Sequence, residues 1–125
     1  MQRWLFLILI GLISPASAAS IDQSLLQLDP EERAHQVCIL KGIDDIKRSK
    51  KLRHVDRVKT SILSRAKFDG TTVVANGGAV RANNHWYQLK FTCAVTSEQM
   101  KATSFTYEVG PEIPESQWED LGLWK

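Results

Sequence analysis

The sequence predicts an α+β domain, in which an N-terminal helix packs on an antiparallel meander of three to four strands, closed by a short C-terminal helical segment and one disulfide. Three observations carry this expectation. Residues 29–51 combine a helix start with a basic helix end, and residues 86–95 alternate apolar and polar side chains. The chain's two cysteines fall one in each of these segments.

The helix is read from "LDPEERAHQVCILKGIDDIKRS". Asp29 is an N-cap residue, Pro30 suits the first helical position, and Glu31 and Glu32 lie where the helix dipole favours negative charge. Val37, Leu40, Ile43 and Ile46 recur as an apolar stripe with Cys38 beside it, and Lys47, Arg48, Lys50 and Lys51 crowd the end that prefers cations. Gly42 marks a kink or a point of close packing.

Residues 55–68 fit either a helix or a strand, with a strand from about Val58 preferred. Asp69-Gly70 then reads as a turn into "TTVVANGGAVRAN", where Asn76-Gly77-Gly78 is a second tight turn or a bulge within one long strand. Asn83-Asn84 has hairpin chemistry, because asparagine tolerates the left-handed conformation. Beyond it Tyr87, Leu89, Phe91, Cys93 and Val95 point one way and Trp86, Gln88, Lys90 and Thr92 the other, as in a half-buried strand. The aromatic density of "RANNHWYQLKFTC" is therefore packing. "MKATSFTYEVG" repeats the alternation through Phe105, Tyr107 and Val109, and Gly110-Pro111 is expected to end it. Pro114 and an acidic turn open a tail whose Trp118, Leu121 and Trp124 dock against the domain.

The chain opens "MQRWLFLILIGLISPASA": Arg3, an apolar run from Trp4 to Ile13, Pro15, and the small residues Ala16, Ser17 and Ala18. This is the pattern of a cleaved secretory signal peptide over residues 1–18, and the run is too short for an ordinary membrane span. The expected product is a single exported, periplasmic domain over residues 19–125 with no transmembrane span. In an oxidising compartment an even cysteine count means a bridge, here Cys38 to Cys93.

Four segments together, "LDPEERAHQVC", "DRV", "GGAVRANNHWYQLKFTC" and "IPESQWEDLGLW", resemble the domain of unknown function 930 family, small exported proteins of alphaproteobacteria. The resemblance covers nearly the whole mature chain. It implies an envelope location and a shared scaffold carrying both cysteines, and it brings no activity, ligand or catalytic residue.

Catalytic patterns are weak. Ser64-Arg65-Ala66-Lys67 spells S-x-x-K, but no K-T-G element lies downstream, and on a strand Ser64 and Lys67 would face opposite sides. His35, His54 and His85 have no ligand spacing, and His35-x-x-Cys38 is half a zinc site whose cysteine is expected in a disulfide. Asp44 and Asp45 are adjacent and so do not converge on a helix. Gly77-Gly78 lacks the lysine and helix of a phosphate loop. No catalytic residue, metal or cofactor is expected.

Charge is the unusual feature. Residues 41–67 hold ten basic side chains against three acids, whereas residues 108–120 hold five acids and no base. The basic segment "KRSKKLRHVDRVK" is either a solvated helix end, partly neutralised by the acidic tail, or a binding surface. Read as a surface, Lys47, Arg48, Lys50, Lys51, Arg53 and Arg57 would meet an anionic envelope partner (a phospholipid headgroup, an acidic glycan or an envelope protein), with apolar contact near Trp86 or Trp124. Export and the lack of a binding motif argue against nucleic acid. The expectation is a small periplasmic accessory or binding protein without catalysis. The alternatives are an inhibitor or immunity-type protein against a hydrolase, or an enzyme acting on cell-wall material.

Overall fold

The computed structural model describes residues 16–125, with side chains described from Ile21 onward. The expected signal peptide thus lies largely outside the described residues. A helix that the sequence reading omitted, α1 (Ala16–Leu26), spans the expected cleavage point after Ala18. Helix α2 (Pro30–Ser49) begins where the capping pattern placed it. The Asp29 carbonyl accepts the Arg33 amide at 2.8 Å, and α2 ends at Lys50, whose φ of 59° is left-handed. No helix among the described residues is long and apolar enough to cross a membrane.

Five antiparallel strands follow: β1 (Val55–Lys59), β2 (Lys67–Phe68), β3 (Thr72–Ala82), β4 (His85–Val95) and β5 (Ala102–Glu112). The sheet order is β1-β3-β4-β5, and β2 also pairs with β3. Lys59 pairs with Ala79 and Phe68 with Val73, so β1 and β2 share one edge of β3 as a single interrupted strand. Residues 55–68 are therefore strand-forming at both ends, with an irregular excursion over residues 60–66.

The interruption is set by the partner strand. Pairing of β3 with β4 shifts between Ala75 and Gly78, which makes Asn76-Gly77-Gly78 a bulge and not a second turn. The Gly77 carbonyl accepts the amides of both Ile62 and Leu63 at 2.8 Å. A Cβ at Gly77 would collide with the Ser64 backbone nitrogen, so only glycine admits the excursion this closely. Asn83 and Asn84 both have positive φ, the requirement of the tight hairpin joining β3 to β4.

Strand β5 departs from expectation by running through Gly110-Pro111 to Glu112. Among the described residues its only neighbour is β4, and an edge strand tolerates a residue without an amide proton.

Helix α2 covers one face of the sheet. Ala34, Cys38 and Ile46 are fully buried there among Val73, Val80, Leu89, Phe91, Cys93 and Phe105. The Cys38–Cys93 disulfide joins helix to sheet with the Cα atoms 6.0 Å apart. Gly42 is a close-packing site: a Cβ there would stand 2.7 Å from the Phe105 ring, which stacks on Phe91 at 4.7 Å. Leu40 corrects the expected stripe. It is 56 % exposed, facing a groove beside Ile21, Leu25 and Leu28, and the buried line runs through Ala34, Cys38, Gly42 and Ile46 at intervals of four.

The opposite face carries a second, smaller cluster of Ala79, Trp86, Ile113, Trp118 and Leu123. It is closed by a 3-10 turn (Glu115–Gln117), α3 (Trp118–Leu121) and a left-handed Gly122. The tail docks as expected, though Trp124 stays 45 % exposed.

Candidate functional site

The basic run lies where α2 ends and the chain crosses to β1. Lys47 and Arg48 sit in the last turn of α2, where they complement the exposed carbonyls, and Lys50 is its cap. Arg48 is matched by Asp44 at 3.1 Å and Lys41 by Asp45 at 3.4 Å. Each of the adjacent aspartates thus serves a cation one turn away, in different directions. Lys47, Lys50, Lys51 and Arg53 form no ion pair among the described residues. No acid of the segment forms an ion pair with them among the described residues: Glu112 holds His85 at 2.6 Å, Glu115 holds Lys125 at 3.5 Å, and Glu108 lines a cleft with Lys51 without forming a salt bridge to it.

Arg57 belongs to a different surface. In β1 it stands opposite Arg81, as Lys59 stands opposite Ala79, so both face the tail-covered side while Val58 faces α2. Two arginines directly opposite would repel. Asp56 resolves this, its carboxylate accepting from Arg81 Nε at 2.8 Å and Nη2 at 2.5 Å. These bonds hold the Asp56 carboxyl below its usual range and raise the already high Arg81.

The two tryptophans singled out in the sequence meet there. Trp86 is fully buried, so it is not available as a contact residue. Its indole donates to the Trp124 carbonyl at 2.7 Å, and the two rings meet edge-on with centroids 5.7 Å apart. Arg81 lies 5.9 Å from both ring centres, and Lys59 Nζ stands 4.2 Å over Trp124 while donating to the Gly122 carbonyl at 3.3 Å. Burial lowers the Lys59 pKa. The expected binding set therefore divides: Lys47, Arg48, Lys50, Lys51 and Arg53 form a basic end, and Arg57 joins Trp124 on the far face.

The remaining candidates do not converge. His35 Nδ1 pairs with Thr60 Oγ1 at 2.8 Å, His54 is an exposed left-handed residue, and His85 pairs with Glu112. Ser64 lies in the excursion and Lys67 in β2, both exposed. Among the described residues no three His, Cys, Asp or Glu side chains cluster to hold a metal.

Sequence reasoning missed the Asp56–Arg81–Trp124–Lys59 network. Asp56 is the only acid in "KRSKKLRHVDRVK", a signal that one cation nearby is paired, but its partner is 25 residues away and only the β1–β3 register reveals it.

A family described as Domain of Unknown Function (DUF930) has a model that matches residues 25–123, which span α2, all five strands and the tail. No curated protein and no solved structure matches the chain.

Proposed function

The chain belongs to the domain of unknown function 930 family, a membership that brings no activity with it, and on this scaffold we propose a small exported, periplasmic accessory protein that binds an anionic envelope component without catalysis. The binding surface in this reading is the basic end of α2. One observation carries it: among the described residues Lys47, Lys50, Lys51 and Arg53 have no ion-pair partner, although the chain holds an acidic segment. Unmatched cations at one end of a small domain steer it toward anions, at about 1 kcal/mol per Lys or Arg held near an anionic surface. Arg57 and Trp124 are secondary in this reading, because their face is already occupied by the tail.

Co-sedimentation tests the proposal. The protein should pellet with phosphatidylglycerol-containing vesicles or with cell-wall sacculi at low salt and be released as the Debye length falls below about 10 Å near 0.1 M. Replacing Lys47, Arg48, Lys50 and Lys51 with Ala should abolish pelleting and leave the far-UV spectrum unchanged. Full retention of binding by this folded variant sinks the proposal.

A further inference from the structure

We propose that the cleft between the C-terminal turn of α2 and β5 is a binding site for a small monoanionic amphiphile, with Lys51 at its mouth as the counter-ion. This rests on the reading of the basic end as an anion-binding surface, and it adds that the anion carries an apolar part.

The cleft has a volume of about 360 Å³, near the lower end of the ~300–1,000 Å³ typical of ligand sites. Its floor is apolar: Ile46 is fully buried, and Leu52, Tyr107 and Val109 are half-buried around it. The polar groups stand at the mouth. The Ser49 hydroxyl is occupied, donating to the Ile46 carbonyl at 2.6 Å. Lys51 and Glu108 are both exposed, and neither makes an ion pair among the described residues, with the other or with any third group. Lys51 therefore presents an uncommitted ammonium beside an apolar floor.

Charge selects the ligand class. Lys51 is the single base and Glu108 the single acid lining the cleft, and Lys47, Lys50 and Arg53, which flank Lys51 in the chain without ion pairs among the described residues, tip the local charge positive. A cationic head would meet net repulsion, and an uncharged apolar ligand would lie under Lys51 without compensating it. An anionic head with an apolar tail satisfies both surfaces. At about 30 Å³ per water-sized group the volume admits a tail and head of roughly a dozen non-hydrogen atoms. Decanoate is a probe of that size.

Titration with decanoate, followed by calorimetry and by methyl shifts in the full mature protein, is the test. The expected Kd is on the order of a millimolar, from the per-atom affinity of ligands this small. Shifts should centre on Leu52, Val109 and Ile46, and decyltrimethylammonium should leave them unmoved. Lys51→Ala should weaken binding at least about fivefold, whereas Glu108→Gln should tighten it about twofold by removing the repelling carboxylate. Val109→Trp should abolish binding by filling the floor. Should that variant fail to fold, the Lys51→Ala and shift measurements decide. Equal binding of the cationic probe, shifts elsewhere, or decanoate binding that survives a folded Val109→Trp overturns the proposal. Weakening by Glu108→Gln overturns the monoanion in favour of a zwitterion. Salt-sensitive vesicle pelleting without decanoate binding would defeat the cleft and spare the basic surface, and decanoate binding without pelleting would do the reverse.

Discussion

Helix α2 and the C-terminal tail cover opposite faces of the same sheet, yet they are fastened by different means. The helix face holds the larger cluster and is closed by a covalent bond between residues 55 positions apart. The tail face depends on five buried side chains, two indole hydrogen bonds and the cations around Trp124. A bond formed across a long loop acts chiefly on the unfolded chain, whereas rings and hydrogen bonds act locally. The helix face should therefore set global stability and the tail face a lesser, local opening.

The largest effect expected is loss of the disulfide. Replacing Cys38 and Cys93 with Ala should lower the unfolding free energy by about 4 kcal/mol, the chain-entropy value for a loop of this size. Urea denaturation measures it, and both faces should melt together in the variant. A loss under about 1 kcal/mol would mean that packing alone closes the helix face, and the contrast between the faces would collapse.

Next is the tail anchor. Trp118 is buried, and its indole donates to the Ile113 carbonyl at 2.9 Å. Trp118→Ala should cost about 3 kcal/mol, the lower end for a buried aromatic truncated to alanine. Native-state hydrogen exchange separates local from global loss. The Leu123 amide, bonded to the Trp118 carbonyl at 2.8 Å, should lose protection at lower free energy than the Val73 and Phe91 amides of the central strands. If all three exchange through one transition, the tail is part of the global unit.

The two faces also differed in how far they could be read from sequence. The helix face was legible because its signals are local: Asp29-Pro30 starts α2, Asn83-Asn84 turns the hairpin, and alternation from Tyr87 to Val95 names the buried side. The tail face was not. Trp86 falls on the side that alternation assigns to solvent, and only a segment more than 25 residues later covers it. The break between β1 and β2 was hidden for the same reason, since the bulge at Gly77 that causes it lies in the partner strand. The basic run was plain in the sequence, but which cations are paired depends on helical spacing for Asp44 and on strand register for Asp56. Leu40 shows the limit of periodicity itself, for a three-residue spacing drifts off the buried line that the four-residue spacing follows.

The smallest effect expected distinguishes the faces by their chemistry. Asp56 anchors the tail face through Arg81, and its carboxyl is lowered first by the Arg81 hydrogen bonds and further by the charges of Arg81 and Arg57. A lowered carboxyl contributes stability that is fully present above the unfolded value, about 3.9 for aspartate, and is lost as pH falls from there through the folded value. The disulfide has no such dependence. Asp56→Asn should cost about 1–2 kcal/mol at neutral pH, reduced from the value for a fully buried pair because Asp56 is half exposed. The variant should also lose stability less steeply than the wild type below about pH 4. The same acidification should expose Trp86 before the helix face opens, because protonating Asp56 leaves Arg81, 7 % exposed, without its counter-ion beneath the Trp124 ring. Tryptophan fluorescence against far-UV dichroism follows the two faces separately. Coincident acid transitions, or an unchanged acid slope in Asp56→Asn, would show that the tail is not held by this pair, leaving the buried indoles of Trp86 and Trp118 as its anchor.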